Sequence, residues 1–214
     1  SRAELMERAP DAISRVYFVR HGESTKNTQN LYDDALEGYP LTDRGRERAR
    51  EAGRELTANG VEKIFCSPVQ RARETAEIIA EESGAELVVA DELMEVSSGS
   101  WDGHRVDAPE TEASRAAYRA LSDEEQYETK RGETGDSWRE IEERAGGFLK
   151  RAIEENPRTV IAFVAHQGTN IYAMRALTGW TLHETRYAKM RDERLVAHAR
   201  PVEFYVDRAR GREF

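Results

Sequence analysis

Six residues hold the types and spacing from which chemistry could be built: Arg20 and His21, Ser67 and Arg71, Glu95, and His166. Each follows a short apolar run, "RVYFVR", "VEKIFC", "ELVVA" or "TVIAFVA". Arginine forks bind the oxygens of a phosphoryl group bidentately, and a helix start adds backbone donors. Transfer of that group asks mainly for positioning and charge stabilisation. A neutral imidazole can attack phosphorus directly, since an unperturbed histidine titrates near 6.5. The departing alkoxide needs a proton, and a carboxylic acid with a raised pKa could supply it and then activate water. Glu95 is the candidate, with Asp91, Glu92 and Asp102 nearby. Taken singly, a histidine after a strand is more often structural, and a helical arginine usually faces solvent.

The elements that must place these residues alternate between strand and helix. The apolar runs at 15–20, 61–66, 86–90 and 159–165 are expected as strands buried on both faces. Thr42 caps a helix to about Leu56, ended by "ANG". Ser67 reads as an N-cap, with Pro68 at N1 and Gln70 at N3 completing a capping box, ahead of Val69, Ala72, Ala76 and Ile79 at helical spacing. Asp136 or Ser137 starts a long helix with Trp138, Ile141, Ala145, Phe148, Leu149 and Ile153 on one face, and "TNIYAMRALTG" reads as another. The tail segments "RLVAHA" and "VEFYV" suggest a hairpin adding edge strands. From Gly103 to about Gly135 the pattern turns polar, with a helix around Thr111 to Leu121, as in an inserted cap. The expected fold class is α/β: a three-layer sandwich with a mostly parallel central sheet, helices on both faces and a cap at about 103–135, in one domain over 1–214. Ligands of such sheets gather at the carboxyl ends of the strands, where the six residues would meet.

Composition narrows the function. Hydrophobic residues make up 38% and charged residues 34%, as in a self-folding soluble domain. The net charge of -9 argues against a nucleic-acid partner. Arginine outnumbers lysine among the 32 basic residues, a bias that genome composition explains most cheaply. No apolar run reaches the ~20 residues that span a bilayer, so no membrane partner is expected. The opening "SRAELMERAP" lacks a signal peptide's hydrophobic centre, and Cys66 is alone, so the expected location is cytoplasmic.

"RHGESTKN" resembles the RHG signature of the histidine phosphatase superfamily, which includes the cofactor-dependent phosphoglycerate mutases. The likeness continues through "PLTDRG" (PLT-x-x-G), "SPVQRARETA" (SP-x-x-RA-x-x-TA), "LMEVSSGSWDG" (L-x-E-x-x-x-G-x-W-E-G) and "VAHQG", five ordered motifs within residues 16–168. The resemblance implies that His21 becomes phosphorylated, that Arg20, Arg71 and His166 surround the phosphate, that Asn27 helps bind it, and that Glu95 is the acid and base. Ser24 and Gln167 are further substrate-binding candidates. Gly22 sits where a side chain could crowd the incoming group, although a glycine after a strand is often only a turn.

Departures bear on the subclass. Lys26 stands where tryptophan is usual, Gln167 replaces a glycine, and "GDS" at 135–137 replaces GES. After Glu95 the mutases carry Arg-His-Tyr-Gly, whereas this chain reads "VSSGSWDG", and its cap has no adjacent arginine pair. Both differences favour a hydrolase of small phosphorylated metabolites over a mutase; a non-catalytic module that binds phosphorylated ligands is the third reading. No cofactor and no metal are expected, since His104, His183 and His198 lack ligand spacing. Trp101 and Trp138 are expected to pack in core or cap more than to line a pocket. A homodimer is left open.

Overall fold

The computed structural model describes residue 4, residues 12–191 and residues 193–213; apart from residue 4, the segment 1–11 lies outside the described residues. Strand β1 (Ile13–Arg20) leads through a short helix α1 (Thr25–Gln29) to α2 (Asp43–Ala58), then β2 (Lys63–Cys66), α3 (Gln70–Ser83) and β3 (Glu86–Val89). The polar middle of the chain holds α4 (Glu112–Arg119) and α5 (Asp123–Glu128). Helix α6 spans 138–155, with a π-helical turn at Glu142–Gly146, and is followed by β4 (Ile161–Ala165), α7 (Gln167–Thr178), α8 (Leu182–Arg191), α9 (Glu193–Val196), β5 (Val202–Asp207) and β6 (Arg212–Glu213). Among the described residues, no helix is long and apolar enough to cross a membrane.

The sheet order is β3-β2-β4-β1-β5-β6. Its first four strands are parallel, and β5 and β6 join antiparallel beside β1. Alternation along the strands feeds two cores. Val16, Phe18 and Phe163 face α6 and α7 through Leu149, Ile153 and Met174, whereas Tyr17, Val19, Ala162 and Val164 face α2 and α3 through Leu56 and Ile79. Apolar residues at successive strand positions are therefore all buried, as a sheet covered on both sides requires.

A row of aromatics crosses the sheet. Phe163 pairs in register with Phe18 on one side and Phe65 on the other, with ring centroids 5.6 and 5.7 Å apart. Such cross-strand pairs pin register, because a one-residue slip would turn each ring to the opposite face. The same register sets Arg20 beside Ala165, so the residues that follow them, His21 and His166, leave the sheet as neighbours.

Several local expectations change. Helix α3 begins at Gln70, with Val69 at the N-cap and no side-chain cap. The Gln70 N–H is satisfied by the Leu36 carbonyl at 2.7 Å, while the Ser67 hydroxyl accepts from the Val69 N–H and turns to His166. Pro68 therefore lies outside the helix. "RLVAHA" is not a hairpin strand. Its first turn is α9, Leu195 is buried in the core, and Ala199 takes a positive φ of 49° while its N–H donates to the Arg20 carbonyl. The hairpin partner of β5 is β6.

Gly22 is demanded by packing. A Cβ there would lie 2.7 Å from the Gly45 carbonyl oxygen, so the β1 exit is pressed onto the first turn of α2, and its N–H donates to Thr75 Oγ1. Thr42 does cap α2, accepting from the Gly45 N–H. Helices α1, α5 and α8 carry too little apolar periodicity to stand out in the sequence.

Replacing Phe163 by alanine should cost about 3–5 kcal/mol, as for other fully buried aromatics. Equilibrium urea denaturation checks this; a loss below ~1 kcal/mol would show that the aromatic row does not hold the sheet.

Candidate active site

His21 and His166 emerge from adjacent strands, with the His21 N–H donating to the Ala165 carbonyl at 2.9 Å and the ring centroids 5.4 Å apart. His21 is 3% exposed and His166 0%. The His21 Nδ1 lies 2.7 Å from the Gly22 carbonyl, an acceptor only. Nδ1 therefore carries the proton, and the Nε2 lone pair is left for attack. His166 Nε2 is 2.8 Å from Ser67 Oγ, and its Nδ1 is 3.6 Å from Glu95 Oε2. The residue expected to cap a helix instead orients an imidazole.

Arg71, 1% exposed, reaches the same place from the first turn of α3. Its nearest carboxylate, Asp33, is 3.7 Å away, and its Nε and Nη2 are buried without a hydrogen-bond partner. Arg20 donates from Nη1 to the Val196 carbonyl at 2.6 Å, while its Nε is also buried and unpartnered. Unsatisfied guanidinium donors inside a protein are costly unless a ligand meets them. The donors are therefore set out for an anion that the described residues do not supply.

A cavity of about 330 Å³ opens here, lined among others by Arg20, His21, Lys26, Asn27, Glu95 and Gln167. Asn27 Oδ1 accepts from the Ser24 N–H and hydroxyl, both at 2.9 Å. That orientation leaves the amide group of Asn27 for the cavity. Ser24 itself is fully buried as the N-cap of α1 and does not line the cavity, so its expected contact with substrate is corrected to one of positioning Asn27. Gln167 opens α7 at the cavity wall. Trp138 also lines it, stacked on Tyr172 with centroids 4.5 Å apart, whereas Trp101 is buried and donates to Ser114. His198, half-buried, packs its ring 5.5 Å from that of His21 but lines a different cavity. Among the described residues, no group of three or more His, Cys, Asp or Glu could hold a metal ion.

Electrostatics follow from burial and crowding. Burial, then the charge of Arg71, holds His21 well below the usual histidine range. Burial brings His166 down to about 3 despite Glu95. Lys26 is lowered by burial and by Arg71, and burial brings Arg20 down to about 10. Burial alone would raise Glu95, but His166, Lys26 and Arg71 overcome it and hold the carboxyl at about 2. Glu95 is therefore a carboxylate in the resting pocket, contrary to the raised value expected of an acid. A bound phosphate dianion would offset those cations and add a like charge, and both effects raise a carboxyl pKa.

Two charged lining residues escaped the sequence reading. Lys26 stood out only as a departure from a motif, although its place between His21 and Asn27 in "RHGESTKN" is the signal that could have found it. Arg131, from the charged "TKRGETGD", read as a solvated turn; nothing local shows that it folds into the cavity.

The chain is similar to several known proteins. The chain is 27% identical over 152 residues to phosphoserine phosphatase 1 of Hydrogenobacter thermophilus, covering 71% of this chain and 70% of that protein. It is 32% identical over 88 residues to a 2,3-bisphosphoglycerate-dependent phosphoglycerate mutase of Thermoplasma acidophilum, a match spanning 41% of this chain and 44% of the mutase. A solved structure described as mycobacterial hydrolase 1 superposes with a TM-score of 0.75 at 21% identity, covering 90% of this chain and 91% of that one. Residues 16–203 match the model of the histidine phosphatase superfamily (branch 1), and the chain belongs to that family.

Proposed function

We propose that the chain is a metal-independent phosphomonoesterase that acts on small phosphorylated metabolites through phospho-His21. The observation that carries this reading is the set of buried, unpartnered guanidinium donors of Arg20 and Arg71 beside a neutral imidazole. His21 Nε2 attacks phosphorus and the ester P–O bond breaks, while Arg20, Arg71 and the Asn27 amide hold the non-bridging oxygens. His166, neutral and oriented by Ser67, lies alongside the transferring group. Substrate binding raises the Glu95 carboxyl, which takes up a proton from solvent and gives it to the departing oxygen as the P–O bond breaks. Glu95 then takes a proton from water as the water oxygen attacks the phosphohistidine, releasing inorganic phosphate and free His21.

The similarity to a phosphoserine phosphatase supports hydrolysis, and the similarity to a mutase keeps isomerisation as the second reading. The residues after Glu95 favour the first. Val96, Ser97 and Ser98 follow it, none of them a cation, and the Ser97 and Ser98 N–H groups are spent on Asp136 and Asp34. With 3-phosphoglycerate, free phosphate should accumulate without a bisphosphate primer. Primer-dependent 2-phosphoglycerate with negligible phosphate would establish the mutase. His21→Ala should lower activity on p-nitrophenyl phosphate by about 10³-fold or more. Wild-type activity in that variant would end the phosphohistidine route and leave a binding module or another nucleophile.

Glu95→Gln should slow alkyl phosphates about 10²- to 10⁴-fold and p-nitrophenyl phosphate about tenfold or less, since nitrophenolate departs without a proton. Equal losses on both esters would remove the acid role.

The low pKa of His21 sets the acid limb of the rate. Because the imidazole stays neutral well below its ordinary 6.5, kcat/KM corrected for substrate ionisation should hold as pH falls through 6.5 and decline only well beneath it. A profile that halves near 6.5 would show that His21 titrates as a solvated histidine.

A further inference from the structure

Lys26 lines the cavity that holds His21, beside Asn27 and across from Glu95 and Gln167. Among the described residues, its ammonium has neither an ion pair nor a hydrogen bond. Lysines outside the cavity differ: Lys63 pairs with Glu86, and Lys130 with Glu140. The charged groups that act on Lys26 are Arg71 from α3, Glu95 from the segment after β3, and Asp33 and Asp34 from the segment between α1 and α2. Burial and Arg71 both disfavour its charge.

The backbone beneath Lys26 is pinned. The Thr25 N–H donates to the Pro40 carbonyl at 3.0 Å, and the C-cap Asn30, at a φ of 55°, returns its N–H to the Asn27 and Lys26 carbonyls. Asn27, the next residue, is held through its Oδ1 by Ser24. One turn of helix thus presents an amide and an ammonium to the same space. A lysine stem covers apolar surface while its head ordinarily reaches bulk water or a carboxylate. Here the head ends in the reactive cavity beside a like charge, an arrangement that an anion relieves.

Charge and place point to which anion. A phosphoryl group in transfer spreads its charge over three oxygens, and Glu95 adds a further negative charge at the same place. Arg20 and Arg71 supply two cations. Lys26 acts on both Glu95 and His166, so its charge reaches the space that those two residues flank.

We propose that the Lys26 ammonium binds a non-bridging oxygen of the phosphoryl group during transfer to His21 and again during hydrolysis, as a catalytic residue alongside Arg20 and Arg71. This rests on the phosphomonoesterase reading and adds a group to its machinery. The tryptophan usual at this position could supply no such charge.

The test compares wild type, Lys26→Met and Lys26→Arg by kcat/KM for p-nitrophenyl phosphate and glycerol 3-phosphate, and by the dissociation constant of inorganic phosphate from calorimetry. Lys26→Met should lower kcat/KM about 10- to 100-fold on both esters and weaken inorganic phosphate by a similar factor, because the contact is to the group that all three share. Lys26→Arg, which keeps the charge, should recover most of each loss. A cation acting only through Glu95 gives another pattern: the glycerol ester slows, while p-nitrophenyl phosphate and inorganic phosphate stay within about twofold of wild type. That pattern, unchanged phosphate affinity in the Met variant, or equal losses in the Met and Arg variants would each overturn the proposal. If the Met variant fails to fold, Lys26→Gln takes its place under the same outcomes. A wild type that hydrolyses neither ester would instead sink the phosphomonoesterase reading, and the phosphate titration would still decide whether Lys26 holds the anion.

Discussion

The in-register pairing of β1 with β4 is the constraint on which the rest of the molecule depends. Strands in a sheet lie about 4.8 Å apart, so two residues that leave neighbouring strands at the same level are held at nearly that spacing without any contact of their own. The Phe18, Phe163 and Phe65 row locks the level. The two histidines inherit it, and Arg71 arrives beside them because α3 starts one short turn after β2. Precision at the cavity thus originates in a hydrophobic layer that no substrate touches.

What that layer supports is electrostatically unfavourable in isolation. Two arginines and a lysine are withdrawn from water around two imidazoles, and Glu95, with Asp33 and Asp34 near Arg71 and Lys26, offsets them in part. Neutral histidines are the outcome, since a buried imidazole among cations gives up its proton. The site is preorganised for negative charge, and the free energy stored in unmet donors becomes available to whatever anion fills it.

Sequence carried the scaffold and the centre of the site, and its failures share one cause. Strands β1, β2 and β4 were legible because burial on both faces leaves an unbroken apolar run, β3 by its β-branched composition although it is a part-exposed edge strand, and the residues after them because a parallel sheet gathers strand ends. Ser67 was misread as a cap because local preference cannot see a histidine 99 positions away. Ser24 was taken for a substrate contact because a hydroxyl near a glycine-rich turn looks the same whether it faces a ligand or a neighbouring amide. The sign of the Glu95 shift depends on Lys26 and Arg71, and on His166 once it is protonated, all far from it in sequence, and Arg131 on the fold of a charged loop. In each case the missing information was tertiary.

The turn at 97–99 and the turn at 132–135 are clamped together through Gly99, Gly132 and Gly135, each too close to opposing backbone to accept a side chain. Asp136 completes the clasp by accepting from the Ser97 N–H at 2.8 Å. The segment between the two turns, including α4 and α5, is joined at this clasp and packs on α8 through the pairing of Asp123 with Arg186, whereas Arg20, His21 and His166 stand at strand ends and Arg71 on α3. Substitutions between the two turns therefore fall on chain that the β1–β4 register does not depend on, and can reshape the cavity wall at Arg131 without moving His21 or His166.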